Sequence, residues 1–202
     1  MSLLRAAGLI ALLSLASKFV GLFRDQVIAY YCGLSAVTDA YQAASLIPAQ
    51  FALIMLGGLN GPFHSAVVST LTHHFKKNQT QTYGRVLSTA MLLSLGGLGA
   101  ISALLYIFAP QIMQIWGLPS GTAELAIMQL RIMAPVFAIS GLIGICYGIL
   151  SIKNSFITPS LSPIMASLGV IISLVLFAGP DTHSLAAALA WGTVIGAGGQ
   201  LL

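Results

Sequence analysis

Charged residues are scarce in this sequence. Its 202 residues include 8 Lys and Arg and 4 Asp and Glu, so charged residues make up 6% of the chain, whereas roughly 25% is usual in soluble domains. So few charges cannot cover a water-facing surface. Hydrophobic residues make up 57% and the mean hydropathy is +0.96, so the apolar excess must face lipid. The net charge of +4 is spread over isolated basic residues between apolar runs, which argues against a nucleic-acid-binding surface.

Cysteine is scarcer still. Cys32 and Cys146 are far apart in the sequence, lie in or beside apolar segments, and have no Cys or His at metal-ligand spacing. Both are interpreted as small buried hydrophobic residues. The sequence also contains no nucleophile with a neighbouring base and no glycine loop of the kind that binds phosphate. We therefore predict no catalytic residue, no metal and no cofactor.

Long apolar runs fill the rest of the sequence. Each is about 18 residues or longer, which is enough to cross roughly 30 Å of hydrocarbon as a helix, the structure that satisfies its own backbone polar groups in lipid. The runs cover residues 3–31, 36–59, 86–109, 123–150, 161–178 and 184–202. They predict an all-α integral membrane protein with a six-transmembrane-helix bundle as a single lobe over residues 1–202. We predict a retained first helix rather than a signal peptide, because no small-residue cleavage site follows the first run. The last run reaches Leu202 without a polar tail, so we expect the N-terminal part of something longer.

The charges between the runs predict an orientation. With a cytoplasmic N-terminus, the outer loops contain Glu124 and Asp181, and the inner segments contain basic residues. The basic residues are Arg5, Lys76, Lys77, Arg85 and Lys153. This asymmetry is the one that the positive-inside rule requires. We therefore predict a multi-pass protein with its N-terminus in the cytoplasm.

The first helix is predicted to have one polar, charged side. At about 100° per residue, several polar residues fall within about 60° of Gly21, and large apolar residues fall opposite. The polar residues are Ser14, Ser17, Lys18, Arg24 and Asp25; the apolar ones are Leu12, Leu15, Ala16, Phe19 and Phe23. A charge at mid-bilayer costs roughly 2.5–3.5 kcal/mol. The charged side chains therefore need a water-filled cavity or partners.

The second helix repeats this pattern with Thr38, Asp39, Gln42 and Ser45 on one side. Asp39 is placed to pair with Arg24 or Lys18 across the two helices, which lowers the cost of burial. A second interpretation is that the charges of the first helix snorkel to the outer interface or form a purely structural ion pair. Arg131, in the fourth segment, has the same alternatives: it lines the cavity or it snorkels.

Four stretches of the sequence resemble a known family. Residues 1–5 (MSLLR) and 17–25 (SKFVGLFRD) are similar to the first helix of the MurJ (MviN) lipid II flippases. Residues 38–41 (TDAY), followed by Ile47 and Pro48, are similar to the second helix of that family, and residues 151–156 (SIKNSF) resemble its turn between the fourth and fifth helices. The resemblance covers nearly the whole chain.

The resemblance implies a fold and a function. The family belongs to the multidrug/oligosaccharidyl-lipid/polysaccharide exporter superfamily, whose members have two lobes of six helices and work by alternating access. It implies a protein of the bacterial inner membrane that moves lipid II, an undecaprenyl-pyrophosphate-linked disaccharide peptide, to the outer leaflet for peptidoglycan synthesis. The partners implied are lipid II, the bilayer and a missing C-terminal lobe.

The resemblance also implies site residues, because cations of the central cavity engage the pyrophosphate in this family. The matched positions are Arg24 and Asp39, with Lys18 where the family usually has Arg; Asp25, Gln42 and Arg131 join them as candidate substrate-binding residues on the helix pattern.

The sequence departs from the family in its second helix. The family commonly continues as Pro-Asn-Leu-Leu-Arg-Arg, whereas this chain has PAQFAL at residues 48–53 and so lacks the paired arginines. Lys18 keeps the charge but loses the planar fork of Arg. Two alternatives stay open: an exporter of another lipid-linked glycan or of drugs, and a membrane scaffold subunit without transport.

Overall fold

The computed structural model describes residues 3–56, 65–66, 68–70, 80–152, 155 and 157–201. Over these residues the chain is all α-helical and contains no strand. The predicted cytoplasmic residues Lys76, Lys77 and Lys153 lie outside the described residues, as do residues 57–59 of the second predicted segment and Leu202. Arg5 lies in the first helix, and its side chain is not among those described.

The helices follow the apolar runs of the sequence, with shifted ends. Their bounds are α1 Leu3–Cys32, α2 Ala36–Ser45, a π-helix Leu46–Phe51, α3 Ala52–Met55, α4 Thr80–Ile107, α5 Ala109–Ile115, α6 Ser120–Met133, α7 Pro135–Ile152, α8 Ile157–Phe177 and α9 Thr182–Gly199. Two differences from the predicted segments stand out. The third run begins at Thr80 rather than at residue 86. The fourth is two helices, because Pro135 has no N–H and begins a new helix after Ala134.

Three stretches of the described chain are long and apolar enough to cross a membrane. They are Gly84–Ile107, Ser120–Ile152 and Ile157–Phe177, with mean hydropathies of 1.9, 2.0 and 2.1. Large apolar side chains are exposed on their surfaces, and Leu92 and Leu93 of α4 are each 71% exposed. Exposed apolar surface of this extent belongs in lipid rather than in water. The chain is an all-α membrane protein.

Helix α9 packs against α8, α6, α7 and α2. Its approach to α8 depends on glycines: a Cβ on Gly169 would collide with the backbone of Gly196, and one on Gly192 would meet the backbone of Val170. Small residues of this kind let helix backbones come close in membranes, where dispersion contacts replace the hydrophobic effect.

Buried polar side chains join the helices by hydrogen bonds to backbone carbonyls. Gln129 of α6 donates to the Ala186 carbonyl of α9 at 3.1 Å, and Ser173 of α8 donates to the Ala188 carbonyl at 2.7 Å. Ser102 of α4 donates to the Ala134 carbonyl at 2.7 Å, at the break between α6 and α7. These bonds give the buried side-chain donors a partner in a place where water does not reach them.

Helices α1 and α2 are consecutive but scarcely contact each other. Helix α1 packs mainly on α8, whereas α2 packs mainly on α6. The loop between them begins at Gly33, whose φ of 59° lies in the left-handed region that glycine adopts without strain. The hydroxyl of Thr38 donates to the Gly33 carbonyl at 2.8 Å and so ties the first turn of α2 to the loop. The two helices therefore diverge from a closed loop and leave a wedge between them.

Candidate substrate cavity

The wedge between α1 and α2 contains a cavity of about 460 Å³. A volume in the range of roughly 300–1,000 Å³ is typical of sites for small molecules. Its lining residues come from both helices, the loop and the π-helix: Arg24, Asp25, Ile28, Ala29, Gly33, Leu34, Thr38, Tyr41, Gln42, Ser45 and Gln50. Three of the six predicted site residues, Arg24, Asp25 and Gln42, are thus brought together.

The charged part of this cavity lies well along α1 from the loop that closes it. At about 1.5 Å of rise per residue, Arg24 is roughly 13 Å along α1 from Gly33. Half of a hydrocarbon core is roughly 15 Å thick. With the loop at the edge of the hydrocarbon, the guanidinium of Arg24 is near the middle of the bilayer.

Arg24 forms an ion pair with its neighbour Asp25. The Nε and Nη2 atoms of Arg24 donate to Oδ1 of Asp25 at 3.0 and 2.7 Å, and the two side chains are 32% and 59% exposed. Arginine has five N–H donors. The three that remain contact no acceptor in the described part of the chain and are available to an anionic ligand. The carboxylate lowers the cost of holding the cation at this depth.

The α2 wall is neutral and rich in hydrogen-bonding groups. The hydroxyl of Thr193 on α9 donates to the Leu189 carbonyl at 3.0 Å, so Tyr41 is the donor in its own 2.9 Å bond to Thr193. Ser45 donates to the Gln42 carbonyl at 3.3 Å. The side-chain amides of Gln42 and Gln50 have no hydrogen-bond partner among the residues described.

Gln50 reaches the cavity because of the π-helix. In a regular α-helix, Gln50 would point roughly 80° away from Gln42. A π-turn has the effect of one inserted residue, which brings the two to within roughly 20°. Pro48 lies inside this turn and removes one backbone donor, a common cause of such irregularities. Sequence analysis did not identify Gln50 or Tyr41 as site residues; Pro48 within an apolar run was the available signal.

Lys18 and Asp39 are at other depths. Both are exposed and neither lines the cavity. Lys18 is roughly 20 Å along α1 from Gly33, at a depth similar to that of Gln50, whereas Asp39 is roughly 6 Å along α2 from Ser35. The expected pairing of Asp39 with Arg24 or Lys18 is not formed. The reason is depth, since Arg24 lies roughly 7 Å further from the loop than Asp39 does, and Asp25 is adjacent to it.

Arg131 is on a different surface from the cavity. It is exposed on α6, and its guanidinium carbon lies 5.5 Å from the centre of the Tyr106 ring on α4. A cation over an aromatic face at this distance is attracted to the ring. The contact favours the snorkelling interpretation of Arg131 over the cavity interpretation.

Long apolar helices with exposed apolar surfaces, and an arginine–aspartate pair in a cavity between two helices, define the class of multi-helix membrane proteins. The family follows from comparison with known proteins: the sequence model for the lipid II flippase MurJ matches residues 28–202. The chain belongs to the MurJ lipid II flippase family.

Curated relatives from distant bacteria agree with this assignment. A probable lipid II flippase MurJ of Synechocystis sp. is 39% identical over 175 residues, which are 86% of this chain and 32% of that protein. The probable lipid II flippase MurJ of Aquifex aeolicus is 31% identical over 93% of this chain and 37% of its own length. The lipid II flippase MurJ of Burkholderia cenocepacia is 30% identical over 97% of this chain and 38% of its own length. The chain spans about a third to two fifths of the length of these relatives.

Proposed function

We propose that this chain is one lobe of a flippase that moves lipid II across the inner membrane of a bacterium. The observation that carries the proposal is the Arg24–Asp25 ion pair, which lines the cavity and leaves three guanidinium N–H donors free of any described acceptor. A pyrophosphate supplies several anionic oxygens that match such donors. The apolar tail of the substrate stays in the surrounding lipid.

The depths of the charges support a direction of transport. With the N-terminus in the cytoplasm, Lys18, Arg24 and Asp39 lie roughly 20, 13 and 6 Å from the outer loop. An anionic headgroup arriving from the cytoplasm meets a lysine, then the arginine, and then a carboxylate that repels it. In this proposal Lys18 attracts the substrate, Arg24 holds it and Asp39 assists its release.

The lobe requires a counterpart. We infer that six transmembrane helices over residues 1–202 form one rigid half, and that a C-terminal lobe closes the open side of the wedge. Rocking of the two halves would expose the cavity first to one side of the membrane and then to the other. Exposed polar side chains such as Lys18, Asp25 and Asp39 then face the interior between the lobes, while the exposed phenylalanines of α1 face lipid.

The test is transport by a chimera. This chain replaces the matched segment of the Burkholderia cenocepacia relative in a cell depleted of its own flippase, and lipid II in the outer leaflet is measured with an externally added hydrolase. We expect growth and lipid II exposure with the unchanged chain, loss of both with Arg24→Ala, and roughly tenfold slower exposure with Lys18→Ala. Gln114→Leu, an exposed residue of α5 outside the cavity, is the control. Amounts of each variant in the membrane are measured in parallel.

Two results would overturn the proposal. Full-rate flipping by Lys18→Ala and Arg24→Ala would remove the cations from the mechanism. Growth of a variant in which Lys18, Arg24, Asp25 and Asp39 are all replaced by leucine would favour the scaffold alternative, since a scaffold needs no charge in the cavity.

A further inference from the structure

We propose that the α2 wall is a subsite for the uncharged saccharide of the substrate, and that Pro48 is the positioning residue that brings Gln50 into it. The α2 wall means Thr38, Tyr41, Gln42, Ser45 and Gln50. This inference deepens the proposed function, on which it rests: Arg24 holds the anionic group, and the facing wall recognises what is attached to it.

The chemistry of the wall is the first argument. Each glutamine amide offers two donors and one acceptor, and neither the Gln42 nor the Gln50 amide is engaged by another described side chain or backbone group. Neighbouring hydroxyls and amide substituents of a sugar ring need this mixture of donors and acceptors on a short spacing. An anion uses only the N–H donors of an amide and leaves its carbonyl oxygen without a partner. The wall therefore suits a neutral polar group rather than a second phosphate.

The fixed position of Tyr41 is the second argument. Its hydroxyl bonds to Thr193 of α9, so the side chain is held in the wall that lines the cavity. The C–H faces of a sugar pack on an aromatic ring while its hydroxyls reach the neighbouring amides. A peptide would gain less from this combination, because its hydrogen-bonding groups lie along an extended backbone.

The geometry of the π-helix is the third argument. Without the extra residue per turn, Gln50 would leave the side of α2 that contains Gln42. The irregular turn costs backbone hydrogen bonding, and Pro48 within it reduces that cost because proline has no N–H to satisfy. The turn thus has a consequence for the cavity: it places two amides on one wall.

The first experiment measures binding of defined lipids to the chain in nanodiscs. The probes are undecaprenyl pyrophosphate, the same lipid with its disaccharide, and complete lipid II. We expect Gln42→Leu and Gln50→Leu each to weaken binding of both glycosylated probes by roughly tenfold, which corresponds to about 1.4 kcal/mol, with undecaprenyl pyrophosphate unchanged. Arg24→Gln should weaken all three, and Gln114→Leu should weaken none.

The outcomes separate the two proposals. If Gln50→Leu weakens all probes equally or none, the saccharide subsite is overturned while the Arg24 result still supports the proposed function. If the disaccharide lipid without peptide binds no better than undecaprenyl pyrophosphate, the wall recognises peptide and the inference is likewise overturned. If the unchanged chain binds none of the probes, the proposed function itself fails.

The second experiment tests Pro48 by labelling. A Gln50→Cys variant, in a background with Cys32 and Cys146 replaced by alanine, is treated with a small water-soluble thiol reagent. We expect a labelling rate that falls at least fivefold when Pro48→Ala is added, because a regular helix turns position 50 away from the cavity. Labelling at position 42, through Gln42→Cys, precedes the turn and should not change. Equal labelling at position 50 with and without Pro48 would overturn its positioning role.

Discussion

At the scale of single residues, the carboxylate of Asp25 has two opposing effects on the binding of an anion by Arg24. The carboxylate offsets the charge of the guanidinium at a depth where an unpaired cation is costly. It also occupies two of the donors that an anionic ligand would use. Both side chains are only partly buried, so water moderates their attraction and the pair is weaker than a fully buried one. Exchange of Asp25 for a substrate phosphate is consistent with this intermediate strength.

Replacement of Asp25 tests this balance directly. Asp25→Asn removes the competing charge and frees Arg24, so we expect the chain in nanodiscs to bind undecaprenyl pyrophosphate several-fold more tightly. Asp39→Asn is the matched control, because Asp39 has no described cation partner and lies nearer the loop. Weaker binding by Asp25→Asn than by the unchanged chain would show that Asp25 orients Arg24 for the ligand rather than competing with it.

At the scale of helices, periodicity predicted a polar side for α1 but gave no indication of what α2 does after Pro48. A helical wheel with 100° per residue predicts Leu12, Phe19 and Phe23 opposite Lys18 and Asp25. All five are exposed, so their exposure does not separate the two sides of α1. The same wheel misplaces Gln50, because its arithmetic assumes a regular helix and the π-turn adds a residue. The close approach of α8 and α9 could not be predicted either, because a pattern of glycines in one helix does not indicate which other helix packs against it.

The α8–α9 contact makes a prediction about stability. A Cβ on Gly196 would lie 2.6 Å from the Ala166 carbonyl oxygen of α8, whereas one on Gly198 of the same helix meets nothing within 4 Å. We expect Gly196→Ala to destabilise the chain by about 1–3 kcal/mol through overpacking, and Gly198→Ala to leave it unchanged or slightly more stable because alanine favours helix. Thermal unfolding in detergent measures both. A midpoint for Gly196→Ala equal to that for Gly198→Ala would contradict the packing described here.

At the scale of the whole molecule, the low charge content predicted the membrane, and the long apolar runs predicted the all-α class. Motifs in the first two helices predicted the family, and Arg24, Asp25 and Gln42 do meet in one cavity. The depth of Asp39 follows from counting residues from the loop. The packing partners of α1 and α2, and the surface on which Arg131 lies, depend on how helices pack on one another. Those relations join α1 to α8 and α2 to α6, far apart in the sequence. A single sequence does not contain them as a local pattern.

The orientation of the molecule remains a prediction, and three single cysteines test it. In a background with Cys32 and Cys146 replaced by alanine, we expect Ser120→Cys and Asp181→Cys to react with a membrane-impermeant thiol reagent in intact cells. Arg85→Cys should react after the membrane is permeabilised and not before. Each position is exposed at or near a helix end, so the protein itself does not block the reagent. Labelling of Arg85→Cys from outside would reverse the order in which a substrate meets Lys18, Arg24 and Asp39, and the proposed direction of transport would be wrong.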